Sequence, residues 1–210
     1  MLDKLDFKSF EVNSRKQIVF ATDTTNKFFI KIEVESNPNK EHNLAGEYQV
    51  LKHLNERECR TAPTVYELGT VTKSFFCDKL SNPEAFKNLA DVEYHYMIQD
   101  FIPHTERYTL GDILFTLIEQ KKLGIYQGDI KPDNIRFNAS ESVCYFVDYD
   151  QALYLTEEQT NVSTLKFLNF CSSHDKKKHG FGNWLRHFPQ YMESDINHLF
   201  NDGALDLYNT

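Results

Sequence analysis

Two short segments hold residue types that could act together on a phosphate: Gly128-Asp129-Ile130-Lys131-Pro132-Asp133-Asn134-Ile135 and Tyr145-Phe146-Val147-Asp148-Tyr149-Asp150. Moving a phosphoryl group between oxygens asks little covalent chemistry of a protein and much charge and positioning. It needs a carboxylate to orient the attacking hydroxyl, cations to neutralise the phosphates, and oxygen ligands for Mg²⁺. Asp129 would orient the hydroxyl or accept its proton, Lys131 would sit near the transferred phosphate, and Asn134 with Asp148 would hold the metal. Four fixed residues in D-x-K-P-x-N arise by chance in roughly one chain of this length in a thousand, at about 1/20 per position. Asp133 fits a turn residue beside Pro132, and Asp150 a partner for a nearby N–H, so neither is given a catalytic role.

The elements that must position these residues can be read from apolar spacing. Residues 7–12, 17–21 and 27–32 are rich in Phe, Ile and Val and are joined by Asn/Ser/Thr/Asp turns, a β-meander. Asn37-Pro38-Asn39 breaks the pattern, and Leu44, Tyr48, Leu51 and Leu54 follow at helical spacing. Residues 63–69 and 71–77 read as further strand material, Ser81-Asn82-Pro83 as an interruption, and 94–102 as a strand ended by Pro103. Beyond it Leu110, Ile113, Leu114, Leu117 and Ile118 form a helical stripe that stops at Lys121-Lys122-Leu123-Gly124. The runs 135–137 and 143–147 predict a small hairpin carrying the functional loops. A polar stretch over 172–178 and a helix over 192–200 complete the chain, which has no internal repeat.

At 210 residues the chain has room for one compact unit or two small lobes. Apolar residues at 40% and aromatics at 14% suffice for a core, and the Tyr and Phe positions read as core. Lys and Arg total 23 against 31 Asp and Glu, a formal charge of −8, which argues against nucleic acid or an anionic membrane as partner. No apolar run reaches the ~18 residues needed to span a bilayer, and the first residues lack the pattern of a signal peptide. Cys59, Cys77, Cys144 and Cys171 form no C-x-x-C pair, a reduced inventory that suits the cytoplasm. Cys171, His174 and His179 match no common zinc spacing and sit in a Lys-rich stretch, so they read as exposed loop.

At this point the chain resembles the protein-kinase superfamily. That family's catalytic loop carries an Asp, a Lys two residues on and an Asn five on, with a strand pair before a metal-binding Asp; here the positions are 129, 131, 134 and 148. Phe28-Phe29-Ile30-Lys31-Ile32 is similar to the family's V-A-I-K strand, and Glu47 follows Lys31 by 16 residues on the next helix. Glu41, the rival acid, lies too close to the Pro38 break to be mid-helix. The resemblance implies that Lys31 contacts the α/β-phosphates and that Glu47 holds it. It also implies that Gln99 is the gatekeeper and that backbone groups of Asp100 and Ile102 face adenine. Ser194-Asp195-Ile196-Asn197-His198-Leu199 resembles the opening of the helix whose Asp braces the catalytic loop. The likeness runs over nearly the whole chain in the right order.

The departures are specific. No glycine precedes Gly46, so the phosphate-covering turn would be Asn13-Ser14-Arg15-Lys16. Gln127-Gly128 replaces the family's His-Arg, removing the receptor for an activation-loop phosphate. Asp148-Tyr149-Asp150 replaces Asp-Phe-Gly, Ala-Pro-Glu is missing, and Arg136 stands where an apolar residue usually forms the floor under adenine. The chain also ends 15 residues after Asp195 (210 − 195), which predicts that the helices supporting peptide substrates are missing.

The resemblance therefore implies an α+β, two-lobed protein-kinase-like fold. A β-rich amino lobe would span 1–103 and a reduced helical carboxyl lobe 104–210. The implied activity is a constitutive transfer, ATP- and Mg²⁺-dependent, of the γ-phosphoryl group to a hydroxyl, of bacterial, phage or effector type. Lys131, typical of the family's protein Ser/Thr kinases, makes a protein Ser/Thr the first expected acceptor. A small molecule, sugar or lipopolysaccharide core is the alternative that Gly128-Asp129 favours. A silent pseudokinase scaffold is the one favoured by the glycine-free turn, Arg136 and Asp150. The expected location is cytoplasmic, or a host cell for an effector, and the sequence carries no signal of oligomeric state.

Overall fold

The computed structural model describes residues 1–5, 7–13, 18–23, 25, 27–33, 44–75, 92–103, 108–163, 166–168, 170 and 171. Several sequence readings lie outside these residues: the turn at Ser14 to Lys16, the Pro38 and Pro83 breaks, Glu41, Cys77, the polar stretch with His174 and His179, and the helix containing Asp195. Contacts divide the chain into two compact units, one of Met1–Asn55 with Pro63–Phe101, the other of Glu56–Ala62 with Ile102–Thr210. Both helices and antiparallel strands are present, so the fold class is α+β.

The first unit is a five-stranded antiparallel sheet. Its strands are β1 (Phe7–Asn13), β2 (Ile18–Asp23), β3 (Phe28–Glu33), β4 (Val65–Thr72) and β5 (Glu93–Asp100), in the order β1-β2-β3-β5-β4. Alternation sends Ile30, Ile32, Tyr94, Tyr96 and Ile98 to one face, where they join Leu2, Leu5 and Val71 in a buried cluster. Helix α1 (Leu44–Asn55) follows β3 and buries Leu44, Glu47, Val50, Leu51 and Leu54. The expected strands at 63–69 and 71–77 are instead one strand, β4, with residues 73–75 helical after it. Gly69 does not interrupt β4, because the Tyr96 ring fills the place of its side chain, with ring carbons 2.9 Å from where a Cβ would stand. β5 ends at Asp100, three residues before Pro103, where the Asp100 N–H turns to the Thr64 carbonyl at 2.9 Å.

In the second unit, α2 (Leu110–Lys122) opens with a capping box between Thr109 and Asp112 and buries Ile113, Leu114, Leu117 and Ile118. The expected hairpin is present as β7 (Ile135–Asn138) and β8 (Val143–Phe146), which pair from Ile135↔Phe146 to Asn138↔Val143. The hydroxyl of Thr116 on α2 donates to the Cys144 carbonyl at 2.9 Å, fastening the helix to the hairpin. Among the elements unread in the sequence are the paired strands β6 (Ile125–Tyr126) and β9 (Leu153–Tyr154) and the short helix α3 (Glu157–Asn161). Tyr126, Phe146, Tyr149 and Phe167 are fully buried, whereas Tyr66, Phe115 and Tyr154 are exposed and correct the reading of every aromatic as core. Among the described residues no helix is long and apolar enough to cross a membrane.

Candidate functional site

Lys31 lies between Ile30 and Ile32 on β3, so alternation turns it away from the apolar cluster toward α1. There its Nζ meets Glu47 Oε1 at 2.6 Å, with the two side chains 3% and 1% exposed. The pair that the resemblance implied is thus in contact. Asp23 sets the entry to β3: Oδ1 accepts the N–H groups of Lys27 and Phe28, each at 2.7 Å, and Oδ2 accepts from Thr25. Burial works to raise its pKa, but the hydrogen bonds from Thr25, Phe28 and Lys27 outweigh it and hold the carboxyl below its ordinary value.

Gln99 is buried opposite Phe29 on β5, and its Oε1 has no hydrogen-bond partner among the described residues. Asp100 is engaged through its side chain, which accepts from Thr64 N–H at 3.0 Å and from the Tyr66 hydroxyl at 2.6 Å. Burial and that carboxylate push the Tyr66 hydroxyl up to about 12. Since the Asp100 N–H already donates to Thr64, a base at this position would have to use other backbone groups. Ile102, its expected companion, begins the second unit's main segment.

In the second unit the D-x-K-P-x-N run leaves β6 as a loop, and a 3₁₀ turn over Pro132–Asn134 feeds β7. Pro132 suits the first position of that turn, where no N–H is required. The turn folds Lys131 and Asn134 back onto Asp129. Lys131 Nζ lies 2.5 Å from Asp129 Oδ2, and Asn134 Nδ2 donates to the same oxygen at 3.0 Å and to the Asp129 carbonyl at 2.9 Å. Asp133 points outward, and its carbonyl accepts from Arg136, as suits a turn residue.

Asp148 follows β8 and caps the 3₁₀ turn Tyr149–Gln151 from the left-handed conformation, φ 63° and ψ 67°. That region is uncommon for a residue with a side chain and tolerated best by Asn and Asp. The buried Tyr149 hydroxyl accepts from Gln120 Nε2 of α2 at 2.6 Å, which holds the turn against the helix. Arg136 turns back to the carbonyls of Asp133 and Ile135, at 2.7 and 2.9 Å. Burial lowers its pKa, against the opposing charges of Asp133, Asp148 and Tyr108.

The donor set suits Mg²⁺, an oxygen-seeking ion that uses one or two carboxylates and takes its other ligands from phosphate and water. Asn134 commits its amide nitrogen to Asp129, so Oδ1 is the atom of this amide that could face a metal. Among the described residues no three His, Cys, Asp or Glu side chains cluster around a metal position, and a site of this kind needs none.

The first unit has the sheet order β1-β2-β3-β5-β4 and a helix between β3 and β4 whose Glu meets the β3 Lys, and the second unit, by itself, has a hairpin between Asn134 and Asp148. The fold is kinase-like. The chain is similar in structure to the bifunctional kinase-methyltransferase WbdD, at 15% identity and TM-score 0.48, over 93% of this chain and 42% of that one. WbdD in a co-crystal with the kinase inhibitor LY294002 matches at 14% identity and TM-score 0.47, over 93% and 41%. PK-1, the kinase of Cydia pomonella granulovirus, matches at 15% identity and TM-score 0.46, over 73% and 53%. The chain spans 41–53% of the length of these three. No family model matches the sequence. No curated protein matches it either.

Two residues gain a place here that the sequence registered only as departures. Gln127 is buried and hydrogen-bonded to both chemical segments, and Gly128 adopts φ +85°. The signal available for them was an amide, able to donate twice and accept, followed by a residue free to take positive φ.

Proposed function

We propose that the chain is an ATP- and Mg²⁺-dependent phosphotransferase that moves the γ-phosphoryl group to a hydroxyl. The observation that carries this reading is the Asp129 carboxylate, held by Lys131 at 2.5 Å and Asn134 at 3.0 Å within one short loop. A carboxylate fixed in this way presents its other oxygen to an acceptor hydroxyl. As the bond from the acceptor oxygen to Pγ forms, the bond from Pγ to the β,γ-bridging oxygen breaks. The electron pair leaves with ADP, and the hydroxyl proton passes to Asp129. Lys131 supplies positive charge to the transferred group while keeping Asp129 oriented.

Asn134 Oδ1 and Asp148 would hold the metal, and bound Mg²⁺ would supply charge neutralisation on the phosphate oxygens. Lys31 contributes a second cation for the phosphates. A buried ion pair such as Lys31–Glu47 is a poor device for stability alone, because desolvation offsets its attraction. Its presence is better explained by a ligand that uses the ammonium. The carbonyl of Asp100 and the N–H of Ile102 would meet the adenine edge.

Lys131 makes a Ser or Thr of a protein the first acceptor. A small-molecule, sugar or lipopolysaccharide-core acceptor is a second reading, favoured by the Gly128-Asp129 pair that stands where the family's protein kinases carry Arg-Asp. Mass spectrometry of lysate treated with ATP and either the wild type or Asp129→Ala, run beside a metabolite panel, separates them. Phosphopeptides specific to the wild type support the first reading, and a phosphorylated metabolite supports the second. Transfer by the Asp129→Ala variant at the wild-type rate contradicts both.

A further inference from the structure

Gln127 follows β6 directly and is fully buried, at 0% exposure. A buried primary amide costs free energy unless both its N–H bonds and its carbonyl find partners. All three do. Oε1 accepts the Asp129 N–H at 2.7 Å, while Nε2 donates to the carbonyl oxygens of Val147 and Asp148, each at 2.9 Å. Turning the amide over would set Oε1 against two carbonyl oxygens, so the surroundings fix its orientation.

Every partner belongs to one of the two segments that carry the chemistry. On one side is the backbone of Asp129, and on the other the backbone leading into and out of Asp148. A further bond, from Val147 N–H to the Asn134 carbonyl at 2.9 Å, closes the set. Gly128 lets the segments approach: at its φ of +85°, a Cβ would stand 2.0 Å from the Gln151 carbonyl oxygen, an overlap with backbone that no side chain can relieve.

We infer that Gln127 is a positioning residue, a clasp that sets the distance between the carboxylate of Asp129 and that of Asp148 without touching substrate. The inference rests on the phosphotransferase reading above. Its physical basis is the sensitivity of group transfer to placement, where a displacement of about 1 Å can cost on the order of 10²-fold in rate. Position 127 therefore acts on turnover through two main-chain segments, and the strength of nucleotide binding stays with Lys31 and the residues facing the base.

The test compares the full chain with Gln127→Met, a variant of similar length that keeps the packing and loses all three bonds. The readouts are kcat, KM for ATP, and hydrogen exchange of the Asp129 amide by NMR without nucleotide. The expected result is a roughly 10–100-fold fall in kcat, as for loss of a supporting hydrogen bond, with KM for ATP within about 3-fold and at least ~10-fold faster exchange. Should the Met variant fail to fold by circular dichroism, Gln127→Asn, which keeps the amide but is too short to reach, carries the same expectation. Faster exchange with unchanged kcat overturns the positioning role, and unchanged exchange overturns the clasp itself. A wild type that transfers no phosphate from ATP overturns the phosphotransferase reading and this inference with it, whereas an active wild type with an equally active variant overturns only the inference.

Discussion

Lys31 and Glu47, on a strand and the helix that follows it, meet at 2.6 Å with almost no solvent on either side chain. Removing one partner takes from the other its buried counter-charge, a change that typically costs about 3–5 kcal/mol. Lys31→Met and Glu47→Leu should each lower urea stability by that order. The double variant Lys31→Met/Glu47→Leu should regain most of it and remain inactive. Double-variant activity near the wild-type level would show that the pair serves the fold alone.

Asp129 is proposed to handle the acceptor's proton and not to bind nucleotide. Asp129→Asn keeps the hydrogen-bonding shape but has little basicity, so kcat should fall ~10²–10⁴-fold, the usual contribution of a general base. Equilibrium binding of Mg-ATP should stay within a few-fold. A matching loss of binding would assign Asp129 to the nucleotide or the metal instead.

Gly128→Ala tests the close approach directly. The left-handed conformation costs a residue with a side chain about 1–2 kcal/mol, and the 2.0 Å overlap with the Gln151 carbonyl adds to it. A loss above ~2 kcal/mol in urea is expected. A loss under ~0.5 kcal/mol would mean that the loop does not lie against Gln151.

The Asp23 carboxyl, whose ordinary pKa is 3.8, is held lower in the fold by bonds to Thr25, Phe28 and Lys27. A lowered pKa means that its stabilisation is complete above pH ~3.8 and is lost as pH falls through the folded value. Asp23→Asn should therefore lower stability at pH 7 by ~1–3 kcal/mol, the usual loss for hydrogen bonds to a charged group. The gap to the wild type should narrow below pH ~3.8. Melting curves at pH 7 and pH 3 check it, and a gap that widens at pH 3 would contradict the assigned sign.

Gln99 carries a buried oxygen without a partner among the described residues. Replacing it by Met, of similar length, removes that desolvated acceptor, so the ligand-free protein should gain ~1 kcal/mol in urea. Destabilisation by Gln99→Met would show that the amide is satisfied in solution.

What the sequence disclosed followed from periodicity. The stripe of Leu110, Ile113, Leu114, Leu117 and Ile118 became α2, and the two apolar runs around Asn138 became a hairpin, because each element's burial repeats at its own spacing. Lys31 and Glu47 could be linked only by resemblance, since nothing local in either residue announces a partner 16 positions away. Gln127 was legible only as a missing His, because its role is made by the carbonyls of Val147 and Asp148, 20 and 21 residues downstream. β6 and β9 have two residues each, too few for any period to register. The strand material expected at 63–69 and 71–77 is a single strand to Thr72, and Gly69 sits inside it because the Tyr96 ring across the sheet takes the place of a side chain. Thr156 and Gln159 form a capping box whose Thr-x-x-Gln spacing was visible and went unused.

The central claim, as proposed above, is that the chain transfers the γ-phosphoryl group of ATP and that Lys31 and Asp148 are each required for it. The most direct measurement is label released or transferred from γ-labelled ATP with Mg²⁺, for the wild type, Lys31→Met and Asp148→Asn, each verified as folded. The account predicts transfer by the wild type and at least a ~100-fold loss in both variants, the scale expected for removing a group that stabilises transferring charge. A folded wild type that neither binds nor turns over Mg-ATP, or variants that keep its rate, would contradict it.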